Sequence, residues 1–553
     1  MDFFFLFIYL ILILIYILGF GSFFNYFLKL NYNGNLIGIK GINGLIFLTF
    51  ISYFSHLFFS HNNFHNSIIL ILGIFFFLKE RNYLLSDIKI SFLLFIILLP
   101  FLIIIKTHDD FPYYHLPFIL SLVENKLQFG FGHIEIAYNH HSSILYLQSL
   151  FYFNPIKYYL FNAVNFFFFF FLLSFLLHKI YLSFYLKNKI IFLDILYFIF
   201  FVYALALFNR LAEFGTDRAG HLLSILFVLI SLEMLLLKKD ILNKFKYLLL
   251  LGFYLGTIKV YLFSYSLILI YLIYIFYRKI NFHALVKNYF LFFISAFLLI
   301  YFFLNLAVSG CLIYPVNFLC FSDHIFWSMT SEDISYLSRW LEQWAKSGAG
   351  PNFRVDNPEN YIKGFNWVQG WFERYFFNKV SDYILSLLFL SLIMIIFFKS
   401  KNIKNYKLII HTNNLRIFYF IILVISFFWF IKHPSLQYGG YTVIALLLFI
   451  PLGIYLDRFY ISLLRKKYLL FILLISLVVF DVRNIQRIYK ENLAFKGIEF
   501  PYFYVPKVDH EIIFIEERKF YKVSDMCWDT PSVCVRGIPQ FKIINNYYFF
   551  YKL

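Results

Sequence analysis

Apolar runs about as long as a bilayer is thick recur along almost the whole chain, separated by short polar segments. They fall near residues 3–20, 41–59, 66–78, 91–106, 160–177, 190–208, 221–237, 247–258, 260–277, 288–306, 382–398, 415–431, 441–456 and 468–481. A backbone in hydrocarbon must satisfy its hydrogen bonds within itself, so only helices and closed barrels can cross. These runs approach the ~20 residues of a helical crossing and exceed the ~10 of a barrel strand. The reading is therefore an all-α polytopic transmembrane helical bundle of about 12–14 spans. Composition agrees, with 61% apolar and 14% charged residues, against roughly 25% charged in soluble domains. The Phe, Ile, Tyr, Asn and Lys excess fits an AT-rich coding sequence, so Phe166 to Phe171 is read as packing material and not as a functional stripe. The first run lacks a basic leader and a small-residue cleavage site, and is read as a span, not as a signal peptide.

A net charge of +18 would also suit a nucleic-acid binder. Its distribution argues otherwise. Lysine and arginine collect in alternate loops: Lys29 and Lys40, Lys79 to Lys89, Lys179 to Lys189, Lys238 to Lys246, Arg278 to Lys287, Lys399 to Lys407 and Arg458 to Lys467. Short basic loops stay on the cytoplasmic side. The expectation is a multi-pass protein of the cytoplasmic (inner) membrane, with its active face on the periplasmic or outer side and no nucleic-acid partner. Residues 1–481 form the membrane domain. Its outer loops are 107–159, 209–220, 307–381 and 432–440, and residues 482–553 form an outer tail. All four cysteines, Cys311, Cys320, Cys527 and Cys534, fall in the outer set. The local pairs Cys311 with Cys320 and Cys527 with Cys534 are the simplest of the three pairings four cysteines allow. Such bridges persist in a periplasm-like compartment. Free thiols remain the alternative, and the spacing suits zinc poorly.

The chemistry-bearing residues fall in the same outer loops. Asp109 and Asp110, with His108 and His115 beside them, directly follow an apolar run. Ionisable groups beside hydrocarbon are costly and mark functional sites. Neighbouring carboxylates cannot both face one point, so one is expected to face a cavity while the other caps a helix or meets a cation. Pro112 suits a helix start, which makes an aspartate before it a possible N-cap and nothing more. Against that, Glu124, His140 and His141 share the loop and can tune a general base. A His/Asp set could also hold a divalent metal, Mg or Mn, on Asp109 and Asp110. The segment Glu213 to His221 offers Asp217 and Arg218 either as an interfacial anchor pair or as an anion site at a helix N-terminus. Lys259 interrupts the apolar stretch 247–277. It either tips a helical hairpin and snorkels or reaches a phosphate at the membrane surface. The loop 307–381 holds Trp327, Trp340, Trp344, Trp367 and Trp371, either as an interfacial belt or as a sugar-stacking platform. It also alternates charge with apolar residues, as short amphipathic surface helices do.

Three segments together resemble the GT-C superfamily of membrane glycosyltransferases. They are the carboxylate loop, Ser309-Gly310-Cys311-Leu312-Ile313-Tyr314-Pro315, and Trp429-Phe430-Ile431-Lys432-His433-Pro434-Ser435-Leu436-Gln437-Tyr438. The chain is similar to large bacterial membrane proteins of that architecture whose substrates are mostly unassigned. The resemblance implies a sugar on polyprenyl phosphate as donor, and a glycan, lipid or protein of the envelope as acceptor. It places the catalytic role on Asp109 or Asp110 and draws attention to His433, Gln437 and Tyr438; with His108, His115, His140, His141, Asp217, Arg218 and Lys259 from the outer loops, these are the expected substrate-binding residues. Two features depart from the family pattern. Gln437 stands where a basic residue is usual, leaving Lys432 or His433 to replace it. The carboxylate loop follows the fourth span instead of the first. Two other classes stay open: a polysaccharide polymerase or ligase using Arg339, Arg354, Arg374 and the histidines, and a transporter of envelope precursors, which would favour internal repeats.

Overall fold

The computed structural model describes residues 3–33, 36–80, 85–186, 190–208, 215–287, 289–322, 324–349, 355–400, 413–495, 504–516 and 518–552. Among the described residues every apolar run identified above overlaps a helix, with the 91–106 run passing from Leu85–Leu98 into the 3-10 turn Leu99–Leu102 and leaving it at the extended Ile103. Among the described residues, nine helices are long and apolar enough to cross a membrane, and four shorter apolar helices accompany them. The protein is a helical bundle of multi-pass membrane character.

Burial sorts these helices into shells. Ala163–Tyr181 and Asp217–Leu237 are enclosed on all sides, and Phe166 to Phe171 are each at most 1% exposed. An all-round apolar helix belongs in a core or in lipid, and these two lie in the core together with the largely buried Phe192–Leu207. Ser381–Phe398, Asn413–Lys432 and Leu463–Ala494 instead leave Phe389, Phe420, Phe427 and Leu474 exposed, as lipid-facing surfaces do. Phe3–Leu28, Ile37–His56 and Asn63–Lys79 pack closely enough that a Cβ on Gly19 would stand 1.9 Å from the Gly73 carbonyl oxygen. Small residues let membrane helices approach in this way.

Two departures from the sequence reading concern the tail. Leu463–Ala494 continues past residue 481, so the expected boundary lies inside a helix. Beyond it the described residues form strands and turns, with no helix among them. Glu511–Ile515 pairs antiparallel with Arg518–Lys522, which carries Cys534–Val535 in parallel, and Gln540–Ile544 pairs with Tyr547–Tyr551. Asn545 and Asn546 turn the second hairpin, both at positive φ. That geometry is the two-residue hairpin loop that asparagine tolerates. The all-α expectation therefore fails in the tail, where β-branched and aromatic residues come in runs of only a few residues between turns, too short for a crossing helix and suited to strands.

Both local disulfides are formed, Cys311–Cys320 and Cys527–Cys534. The large loop carries the amphipathic helix Ser331–Ser347, capped by Thr330 Oγ1, which accepts from the Asp333 amide at 3.1 Å.

Candidate functional site

Loops 107–159, 307–381 and 432–440 and the 259–265 turn meet at one end of the bundle around a cavity of about 730 Å3. Asp110, Tyr113 and Tyr114 enter from the first loop, and His140 and His141 from farther along it. Lys259 and Tyr261 come from the turn after Ile241–Ile258, Tyr314, Trp340 and Trp344 from the large loop, and Lys432, His433, Gln437 and Tyr438 from the late loop. Segments more than 300 residues apart in sequence thus form one pocket.

Of the two adjacent aspartates, Asp110 lines the cavity, and Asp109 is exposed and does not. Asp110 stands just before the Phe111–His115 turn, yet its side chain makes no capping bond. The N-cap explanation is therefore not realised. His108 Nδ1 accepts from the Asp110 amide at 3.2 Å and lies 3.5 Å from its carboxylate. Burial in the cavity wall raises the Asp110 pKa above its ordinary value. The charges of Asp217 and Asp109 add to the rise, while those of His108 and Lys259 oppose it. A carboxylate raised in this way is a stronger base than a solvated one.

Lys259 does not snorkel freely. Its Nζ lies 3.0 Å from Asp217 Oδ1, with both side chains about one-fifth exposed (21% and 20%). The backbone makes this possible. Ile241–Ile258 stops at an extended Lys259, and Asp217 opens the first turn of Asp217–Leu237. Arg218 is not among the lining residues, and Glu213 lies outside the described residues. His221 is buried, and its ring bridges Thr442 Oγ1 at 3.0 Å and the Gln437 carbonyl at 2.9 Å. The same carbonyl accepts from Tyr261 Oη at 3.1 Å, so the backbone of the late loop is fixed from two sides.

Burial makes the cavity histidines neutral at pH 7. It pushes His140 and His141 down to about 3, helped by the nearby charge of Lys259 on His140, and His433 down to about 4. They stand in the cavity wall as neutral rings, not as cations. His115 is buried against the Tyr114 ring at 4.3 Å and does not reach the cavity. Tyr438 is a hub, with ring centroids 5.7 Å from Trp344, 5.8 Å from His433 and 6.0 Å from Tyr261. The five loop tryptophans divide. Trp340 and Trp344 line the cavity, Trp367 and Trp371 are buried elsewhere, and Trp327 packs against Phe129 and Phe549 of the tail. The exposed Arg339 pairs with Glu359 at 2.6 Å, and Arg354 lies outside the described residues.

Tyr113, Tyr114, Tyr261, Tyr301 and Asn305 are lining residues that sequence reasoning did not single out. Only the Tyr113-Tyr114 pair, directly after the aspartates, carried a signal. Among the described residues no group of three or more His, Cys, Asp or Glu side chains is arranged to hold a metal ion. The chemistry available at this site is that of a raised carboxylate beside a lysine–aspartate pair and an aromatic wall.

A family model described as a domain of unknown function (DUF8201) matches residues 3–444. The chain belongs to that family. No curated protein and no solved structure matches it.

Proposed function

We propose that this chain is a GT-C-like membrane glycosyltransferase. In this reading it moves a sugar from a polyprenyl-phosphate donor to an envelope acceptor on the outer face of the membrane. The observation that carries the reading is the meeting of Asp110, Lys259 and the Trp340/Trp344/Tyr438 wall in one cavity, with Lys259 held from behind the wall by Asp217. Its depth adds support. Tyr301 and Asn305 on Phe290–Ser309, and Ile425 and Phe428 on Asn413–Lys432, line it. They stand roughly 6–12 Å inside the ends of those helices at ~1.5 Å per residue. A pocket that dips between apolar helices suits a substrate with a polar head and a hydrocarbon tail.

The mechanism follows from the residues. Asp110 takes the proton from an acceptor hydroxyl as that oxygen attacks the anomeric carbon and the bond to the phosphate oxygen breaks. The lipid phosphate leaves as a stable anion and needs no acid. The attack comes from the face opposite the leaving group, so the configuration inverts. Lys259 is already paired with Asp217, so the donor phosphate meets a lysine whose position is fixed in advance. Trp340 and Trp344 offer aromatic faces to a sugar ring.

Envelope glycans and lipid-linked sugars, compared between wild type, a deletion strain and Asp110→Asn and Asp109→Asn variants that reach the membrane, test this. One sugar should vanish from the envelope, and its polyprenyl-phosphate form should accumulate, in the deletion and in Asp110→Asn. Transfer should fall by about 10²–10⁴-fold in Asp110→Asn and much less in Asp109→Asn. Unchanged glycans in the deletion would end the transferase reading.

A further inference from the structure

We infer that the C-terminal tail is a working part of the cavity and that Arg536 is the positioning residue through which it acts on Asp110. This rests on the reading of Asp110 as the base. Arg536 Nη2 lies 3.1 Å from Glu135 Oε2. Tyr113 Oη donates to Glu135 Oε1 at 2.7 Å, and the Arg536 guanidinium stands 4.9 Å from the Tyr113 ring centroid. One tail residue thus holds the side chain three positions after Asp110. A second attachment sits beside it, where the Trp528 amide donates to the Pro112 carbonyl at 3.1 Å. Pro112 and Tyr113 belong to the short turn that Asp110 precedes, and Asp110 makes no capping bond of its own to that turn. The carboxylate is placed by a turn whose outer side the tail grips twice. Glu135 also heads the Ile136–Asn139 turn, which leads to His140 and His141, so the same contact reaches a second wall of the cavity.

The tail is built to bear on this point. The Cys527–Cys534 bridge closes the loop that carries Trp528, and Cys534–Val535, just before Arg536, pairs with Tyr521 and Lys522. The second hairpin is laid onto the membrane domain. The Phe129 amide donates to the Tyr548 carbonyl at 2.8 Å, and the Phe550 amide to the Phe129 carbonyl at 2.9 Å. Gly130, at φ +62°, would place a Cβ 2.0 Å from the Phe550 carbonyl oxygen, so that seat accepts only glycine. Arg536 is therefore presented from a rigid support, as a positioning group requires.

The test uses the full-length protein with Arg536→Ala, Arg536→Lys and Tyr113→Phe. Amide hydrogen exchange of residues 108–116 and 133–141 is read in detergent, and transfer in cells is read from the envelope sugar lost in the deletion strain. Arg536→Ala should speed exchange in both segments and lower transfer by about ten- to a hundredfold, while Arg536→Lys restores most of both. Tyr113→Phe removes only the phenol donor and should speed exchange at 108–116, which keeps the inference testable if Arg536→Ala does not reach the membrane. Unchanged exchange in Arg536→Ala and Tyr113→Phe would overturn the inference whatever the glycans do. Equal loss in Arg536→Ala and Arg536→Lys would also overturn it, since a positioning cation tolerates lysine better than alanine. Faster exchange in Arg536→Ala with no glycan difference between wild type and Asp110→Asn would refute the transferase reading alone and leave the clamp supported.

Discussion

Replacing Lys259 and Asp217 singly and together gives the most searching check on the site. Their charged atoms are 3.0 Å apart. Coulomb's law gives about 1.4 kcal/mol for that separation in bulk water and about 5.5 kcal/mol at an effective dielectric of about 20. Both side chains are about one-fifth exposed, so the gross attraction lies toward the upper value and desolvation offsets much of it. Removing one partner leaves the other charge partly buried and alone, which should cost about 2–3 kcal/mol in Lys259→Met or in Asp217→Asn. The double variant should cost little more than either single, for a coupling of about 2 kcal/mol. Denaturant unfolding in detergent measures this without any assumption about activity. Fully additive single costs would refute the pairing. The same variants bear on Asp110 with opposite signs. Lys259 favours the ionised form of Asp110, and Asp217 disfavours it. In Lys259→Met the acid limb of the pH–transfer profile should move to higher pH, and in Asp217→Asn to lower pH. The double variant should fall between them. Limbs that shift together, or not at all, would remove Asp110 from the influence of this pair.

Two further outcomes follow from the geometry. Replacing Cys527 and Cys534 by serine opens a loop of sequence separation 7, which should loosen the tail by about 2–3 kcal/mol on a chain-entropy estimate. Limited proteolysis should then cut between residues 523 and 536, where wild type resists. The second outcome concerns acid. His140 and His433 have folded-state pKa values pushed down to about 3 and about 4. The unfolded chain therefore binds protons there below about pH 6.5, where the folded chain does not. Each contributes stability that is present above that pH and is lost as pH falls toward 4, at up to about 1.4 kcal/mol per unit. His140→Gln and His433→Gln should each flatten the acid limb of a stability–pH curve, and an unchanged slope would show that neither histidine is held neutral.

Much of the bundle is legible in the chain because a bilayer leaves little choice. An apolar run such as 221–237 must be a helix, and Asp217–Leu237 is one. The disulfides were legible for a similar reason, since short loops bring Cys311 to Cys320 and Cys527 to Cys534 locally. The site was legible in part. Lys259 stood out as a charge interrupting an apolar stretch, Asp110 as a carboxylate directly after one, and His433, Gln437 and Tyr438 through the resemblance of their segment to the GT-C pattern; all five line the cavity. Tyr301 and Asn305 did not stand out, because a tyrosine or asparagine inside an apolar helix looks the same whether it faces lipid, core or cavity. His115 failed in the other direction, since it shares the loop but points away from the cavity.

The sequence by itself determined that this is a multi-helix membrane protein and which loops carry its polar residues. Both are local matters of run length and charge spacing, set by the transfer of side chains between water and hydrocarbon. Only the tertiary structure decided that Lys259 is paired with Asp217, that Asp110 and not Asp109 enters the cavity, and that the tail folds as strands seated on Phe129, with Trp528 and Arg536 reaching Pro112 and Tyr113. Each of those depends on which helix ends meet across tens to hundreds of residues. That is settled by packing of the buried core that includes Ala163–Tyr181 and Asp217–Leu237, which no single stretch of sequence encodes.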